Sequence, residues 1–295
     1  MTFVFLLLFS GCGNTDEPAT EMEPTANTEL ATDSELATDL EPVTDSKQQS
    51  EAVEAIKALG GRVSLDEMGN VDTVDFTRSK VGDSGLAHIK GLTSLTRLYL
   101  SVTKVSDEGL VHLKGLANLM TLYLEGTQVS DSGLVNLKGL VNLRRLYLGG
   151  TKVSNAGLEH LKGLTNLTIL SLVGNTKISD AGLAHIKGLT SLTRLHLAGT
   201  KVTDSGLVNL KGMNSLGELS LSFTEVSDAG LVHLKGLTSL TVLRLSGPVI
   251  SDAGLVHLKG LTSLTSLHLG RSKVTKEGVE ELQAALPKCE ISHQN

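Results

Sequence analysis

One phrase of 24 residues occurs nine times in tandem between Val71 and Leu269, and few folds can accommodate such a chain. The clearest copy runs Leu119-Met-Thr-Leu122-Tyr-Leu124-Glu-Gly-Thr127-Gln-Val129-Ser-Asp131-Ser-Gly-Leu134-Val-Asn-Leu137-Lys-Gly-Leu140. Its first leucine returns as Leu95, Leu143, Leu167, Leu192, Leu216, Leu240 and Leu264. Self-similarity at a fixed period of this size means a solenoid, because one unit cannot bury its apolar face alone and must stack on its neighbours. A solenoid offers a long surface and no pocket by default, which favours binding over catalysis.

Within a unit, Leu-x-Leu alternates with period two and predicts a short strand. The Ser-Asp that follows, as in Ser130-Asp131 and Ser179-Asp180, supplies helix N-cap oxygens. Leu134, Leu137 and Leu140 then recur at helical spacing. Each turn of the coil is therefore a strand, a bend and a short helix. Stacking places the strands in one parallel sheet, and because helices are wider than strands the sheet lies on the concave side. The body must be built from aliphatic side chains, since the 295 residues include no Trp, three Tyr and five Phe.

These residues resemble the leucine-rich repeat family, through the Leu-x-x-Leu-x-Leu-x-x-Thr and Val-Ser-Asp-x-Gly-Leu blocks that cover residues 71 to about 286. The second block looks most like the variant common in bacterial surface and exported proteins. The resemblance implies an α/β solenoid, a horseshoe with a parallel sheet on the concave face and short helices on the convex face.

The ends depart from the repeat. Phe3–Phe9 is an apolar run of seven, too short to span a bilayer, which takes about 20 residues. Together with Ser10-Gly11-Cys12 it reads as a signal peptide, residues 1–12, and resembles the lipobox of bacterial lipoproteins. That resemblance implies cleavage before Cys12, lipidation of that residue, and anchoring to a bacterial membrane on the periplasmic or cell-surface side. Ordinary secretion is the alternative. Residues 13–50 hold ten acidic residues and one basic residue, Lys47, and are expected to form an acidic disordered tether. Residues 51–70 read as an N-terminal cap: an amphipathic helix Glu51–Leu59 and a hairpin turn at Asp66–Asn70. The solenoid is assigned to 71–275 and a C-terminal cap to 276–295, with Cys289 as a buried structural thiol.

Most columns of the repeat have structural accounts. The column Ser79, Thr103, Thr127, Thr151, Thr176, Thr200, Thr224, Pro248, Ser272 offers hydroxyls to the neighbouring coil's backbone, with a flaw expected at Pro248. The fourth strand unit carries one extra residue within Val173–Thr176, expected to form a bulge. Six histidines share a helix column, but equivalent residues on stacked helices lie about 10 Å apart, whereas a metal needs ligand atoms at about 2.0–2.1 Å. The Lys column, from Lys90 to Lys259, is offset by an Asp column seven residues earlier. No nucleophile elbow, phosphate loop or paired-cysteine motif is present. The chain reads as non-enzymatic, with no metal or cofactor. No basic face suggests nucleic acid, because residues 51–295 hold 22 acidic and 25 basic residues, a net charge of only +3.

Function is expected where the copies disagree, on the concave strand positions. All three tyrosines, Tyr99, Tyr123 and Tyr147, fall in one column of consecutive units, followed by His196. The adjoining column holds Arg97, Arg145 and Arg194, and Glu125 adds local polarity. Tyr and Arg dominate binding hot spots. These eight residues are the candidate ligand-binding site, with another protein as the partner. The alternatives are a glycan ligand or an envelope spacer with no specific ligand.

Overall fold

The computed structural model describes residues 43–293. The expected signal peptide, Cys12 and the expected tether up to Pro42 lie outside the described residues. Eleven strands form one sheet in chain order. β1 (Arg62–Leu65) and β2 (Val71–Asp75) make an antiparallel hairpin. β3 (Arg97–Tyr99), β4 (Thr121–Tyr123), β5 (Arg145–Tyr147), β6 (Ile169–Ser171), β7 (Arg194–His196), β8 (Glu218–Ser220), β9 (Val242–Arg244) and β10 (Ser266–His268) then add in parallel, and β11 (Glu290–Ser292) closes the far edge. The pairing is in register, so Leu98, Leu122, Leu146, Leu170, Leu195, Leu219, Leu243 and Leu267 form one fully buried row. This is the expected solenoid, with a single aliphatic core shared by all units.

The return segments are shorter and tighter than regular helices. Asp131–Leu134 makes one α turn and Val135–Leu137 continues as 3-10, while Asp83–Ile89 is 3-10 throughout. Seven residues containing a glycine cannot sustain a helix by propensity, so packing of Leu134 and Leu137 holds the turn.

The Ser-Asp pairs do not act as the expected N-caps. The hydroxyls of Ser130 and Ser179 make no capping bond. Each Asp instead spans to the next coil: Thr203 donates its N–H to Asp180 Oδ1 at 2.8 Å and its hydroxyl to Oδ2 at 2.6 Å. The same rung recurs at Asp83–Ser106, Asp107–Ser130, Asp131–Ser154, Asp204–Ser227, Asp228–Ser251 and Asp252–Thr275. One rung is neutral: Asn155 accepts from the Ser179 N–H and donates to its hydroxyl, both at 2.8 Å.

This ladder ties stability to pH. Burial opposes ionisation of Asp107, but donation from Ser130, Ser132 and the Gly133 N–H outweighs it and holds the carboxyl below its ordinary value of 3.8. A group depressed in the folded state stabilises above its unfolded pKa, and that contribution is lost as pH falls through the folded value. Asp107→Asn copies the Asn155 rung. Wild type is expected to exceed the variant by less than about 1 kcal/mol at pH 7, since solvent screens the partly exposed group. That gap should close below pH 3.8. Urea melts of both proteins between pH 2 and 7 check this, and a gap that does not change with pH would contradict it.

The threonine column also differs from expectation. Thr103, Thr127, Thr151, Thr200 and Thr224 donate to the carbonyl three residues back in their own coil, at 2.6–2.7 Å. Only Asn175 bridges coils, donating to Leu148 O at 3.0 Å and accepting the Thr151 N–H at 3.1 Å. Buried Asn175, rather than exposed Thr176, holds the column position, so the extra residue of that unit falls between Asn175 and Ile178. A flaw is expected at Pro248; its chain neighbours Gly247 and Val249 border a narrow crevice with Leu221, Thr224, Val226 and Leu245, and the core residues around it stay buried.

Both ends are capped. The N-terminal helix spans Val43–Ala58, so it begins eight residues before the expected Glu51 and takes 43–50 out of the tether. Within the extension the Gln49 amide donates to Gly69 O at 2.9 Å and accepts the Val71 N–H at 3.0 Å, tying the helix to the hairpin. Asp66 Oδ1 closes the hairpin turn by accepting the N–H groups of Met68 and Asn70. At the far end, helix Lys276–Ala285 leads to buried Cys289, whose thiol pKa is pushed up by burial. Among the described residues no helix is long and apolar enough to cross a membrane.

Candidate binding surface

The register that aligns the leucines also aligns their outward neighbours. Tyr99, Tyr123 and Tyr147 are direct cross-strand partners. Their rings stack, with centroids 4.9 Å apart for Tyr99–Tyr123 and 4.0 Å for Tyr123–Tyr147. The middle ring is enclosed by the other two. Burial, then the neighbouring Tyr147, Tyr99 and Glu125, push the Tyr123 phenol far above its ordinary pKa, so it stays neutral. Burial also raises Glu125, which has no ion-pair partner among the described residues.

The arginines differ in what they touch. Arg97 is committed within the protein: it donates to Thr73 Oγ1 at 2.8 Å and pairs with Asp72. Arg194 lies 3.5 Å from Glu218, a long contact. Glu218 is a hub that sequence reading missed, because Arg244 bonds to it as well and His196 Nε2 sits 3.2 Å from its Oε1. His196 Nε2 is shielded from solvent yet makes no hydrogen bond there, so its contact with Glu218 is one of proximity. Burial works against the Glu218 charge, but Arg244 and then His196 hold its carboxyl below the usual range. Arg145 has no carboxylate partner among the described residues.

The eight expected residues thus lie on one face, in β3 to β7 and the bend after β4, but in two groups. The stacked tyrosines and Glu125 occupy β3 to β5, and Arg194 and His196 lean toward Glu218. Between them β6 presents only Ile169 and Ser171, both buried. A shallow depression of about 350 Å³ lies there, lined by Arg145, Tyr147, Thr168, Ile169, Thr193 and Arg194.

Sequence reading also missed Phe223. It is half exposed and adopts φ +56°, at a position where Gly126, Gly150, Gly174, Gly199 and Gly247 supply positive φ in other units. The Arg271 guanidinium lies 6.0 Å from its ring centroid. Among the described residues no group of three His, Cys, Asp or Glu could hold a metal ion.

Comparison with known proteins follows the same lines. The family description "Leucine Rich repeats (2 copies)" matches residues 141–185, and "Leucine Rich repeat" matches 188–211 and 260–282. No curated protein matches the chain. Among solved structures, internalin C2 from Listeria monocytogenes is 25% identical, covering 82% of this chain and 92% of its own, with a TM-score of 0.56. The structure of PEPR1-AtPEP1 is 19% identical, covering 79% of this chain and 36% of its own, with a TM-score of 0.48. With its in-register parallel sheet, its row of buried leucines and these matches, the chain is built of leucine-rich repeats.

Proposed function

We propose that this protein is a non-enzymatic binding scaffold that holds another protein on its concave sheet, and that a lipid on Cys12 anchors it in a bacterial envelope. Leucine-rich repeat proteins generally mediate protein–protein interaction, which supports the coarser part of this reading. The observation that carries the concave-face reading is the stack of Tyr99, Tyr123 and Tyr147 with arginines beside it; the anchor rests on the lipobox-like run Phe3–Cys12. A spacer without a ligand has no need to collect every tyrosine in three adjacent strands. A glycan is a weaker choice, because sugars pack on free ring faces and stacking covers both faces of Tyr123.

Changing Tyr99, Tyr123 and Tyr147 together to Ser should leave the fold intact, since Ser171 and Ser220 hold the same column in β6 and β8. Retention of envelope proteins on the immobilised variant is expected to fall at least about tenfold, because hot-spot truncations exceed 2 kcal/mol. Equal retention by folded wild type and variant would remove this face from consideration. Mass spectrometry of the mature N-terminus tests the anchor: an acylated Cys12 supports it, and an unmodified chain refutes it.

A further inference from the structure

The depression over β6 has a chemistry of its own. Its two rims are Arg145 and Arg194, two strands apart and hence about 10 Å between backbones. Its floor is Ile169, with Thr168 and Thr193 alongside. Both threonine hydroxyls are spent on backbone carbonyls, Thr168 on Arg144 O and Thr193 on Thr168 O, each at 3.0 Å. No acidic side chain lines it. The polar groups left to a ligand are therefore mostly donors: the guanidinium of Arg145, which has no carboxylate partner among the described residues, and that of Arg194, whose contact with Glu218 is 3.5 Å long. The adjoining acids are engaged elsewhere, Asp72 by Arg97 and Glu218 chiefly by Arg244.

Two guanidinium groups on the rims of one floor with no acid are matched to an anion. A planar carboxylate accepts paired N–H bonds from such a group. Resting on the concave-face reading above, we infer that this niche seats an acidic side chain of the bound protein, an Asp or Glu held between Arg145 and Arg194 with its stem over Ile169 and against Tyr147. The partner segment that crosses β5 to β7 is thus acidic, and the surface selects for it by charge as well as by contact area.

The test uses the full chain and two labelled probes, hexaglutamate and hexaglutamine, followed by fluorescence anisotropy at low salt. Hexaglutamate should bind and hexaglutamine should not. Arg145→Thr/Arg194→Thr should weaken hexaglutamate at least about tenfold, since two charge-assisted bonds are lost. Thr73 and Thr121 hold the same column in β2 and β4, so threonine suits the sheet. Lys138→Thr/Lys187→Thr, on the opposite face, removes the same charge and should change binding less than about twofold. Equal weakening by both pairs, or no binding of hexaglutamate, overturns the inference. So does inorganic phosphate competing at concentrations equal in charge, which would make the niche a general anion site. Failure here, with envelope-protein retention still lost in the tyrosine variant, would sink the carboxylate niche and leave the concave-face reading standing.

Discussion

Gly206→Ala, a change of one methyl group, is expected to destabilise the solenoid by about 3 kcal/mol. Gly206 does not have a positive φ, so backbone strain is not the reason. Space is: a Cβ there would lie 2.3 Å from Asp180 Oδ1 and 3.2 Å from Val202 Cγ1. The carboxylate cannot swing aside without leaving both bonds from Thr203. Overpacking alone costs about 1–3 kcal/mol, and hydrogen bonds to a charged group contribute about 1.5–3 kcal/mol when intact. The same close approach recurs at Gly109, Gly133, Gly157, Gly230, Gly254 and Gly278, always against the Asp of the coil before. Asp-x-Gly is thus one device, in which the glycine of each coil makes room for the ladder rung of the last. The mechanism is separable from generic crowding by a double-mutant cycle in urea. In an Asp180→Ala background the obstructing carboxylate is gone, and Gly206→Ala should cost less than about 1 kcal/mol. An equal cost in both backgrounds would show that the ladder is not what the methyl group disturbs.

The aspartate's role shows why some features could be read from the chain and others could not. The strands, the buried leucine row and the Asp66 hairpin turn depend on alternation and turn chemistry within a few residues, so the sequence displays them directly. The rung between Asp180 and Thr203 joins residues 23 apart, and within a local window Ser-Asp is indistinguishable from a helix N-cap. The N-terminal helix shows the same limit. Residues 43–50 carry no apolar stripe, and the contact that ties this stretch to the hairpin, Gln49 with Gly69 and Val71, joins residues 20 and 22 positions apart. On the concave face the tyrosine stack follows from identical register and was visible as a column. Glu218 was not, because its importance comes from residues of the units on either side, β7 and β9, converging on one carboxylate. Phe223 was hidden for a backbone reason: nothing in its neighbourhood announces a left-handed position except glycine at the equivalent place in other units.

Leu170→Ala and Leu267→Ala remove the same side chain from the same row, yet their consequences should differ. Both residues are fully buried. Each truncation is expected to lose about 3–5 kcal/mol locally, through lost burial and the cavity left behind. In a solenoid each unit touches only its neighbours, so a weakened unit decouples what lies on either side. β6 carrying Leu170 is flanked by β5 and β7, with four strands beyond each. Its truncation should split a single urea transition into two, with lower slopes because each half exposes less surface. β10 carrying Leu267 is followed only by β11. Its truncation should release the last unit and Cys289 early, while the main midpoint stays within error of wild type. Circular dichroism in urea, with hydrogen exchange to place each transition along the chain, distinguishes the two. A single transition shifted equally by both variants would mean that the ladder and core couple all units into one cooperative block, stronger than nearest-neighbour stacking provides.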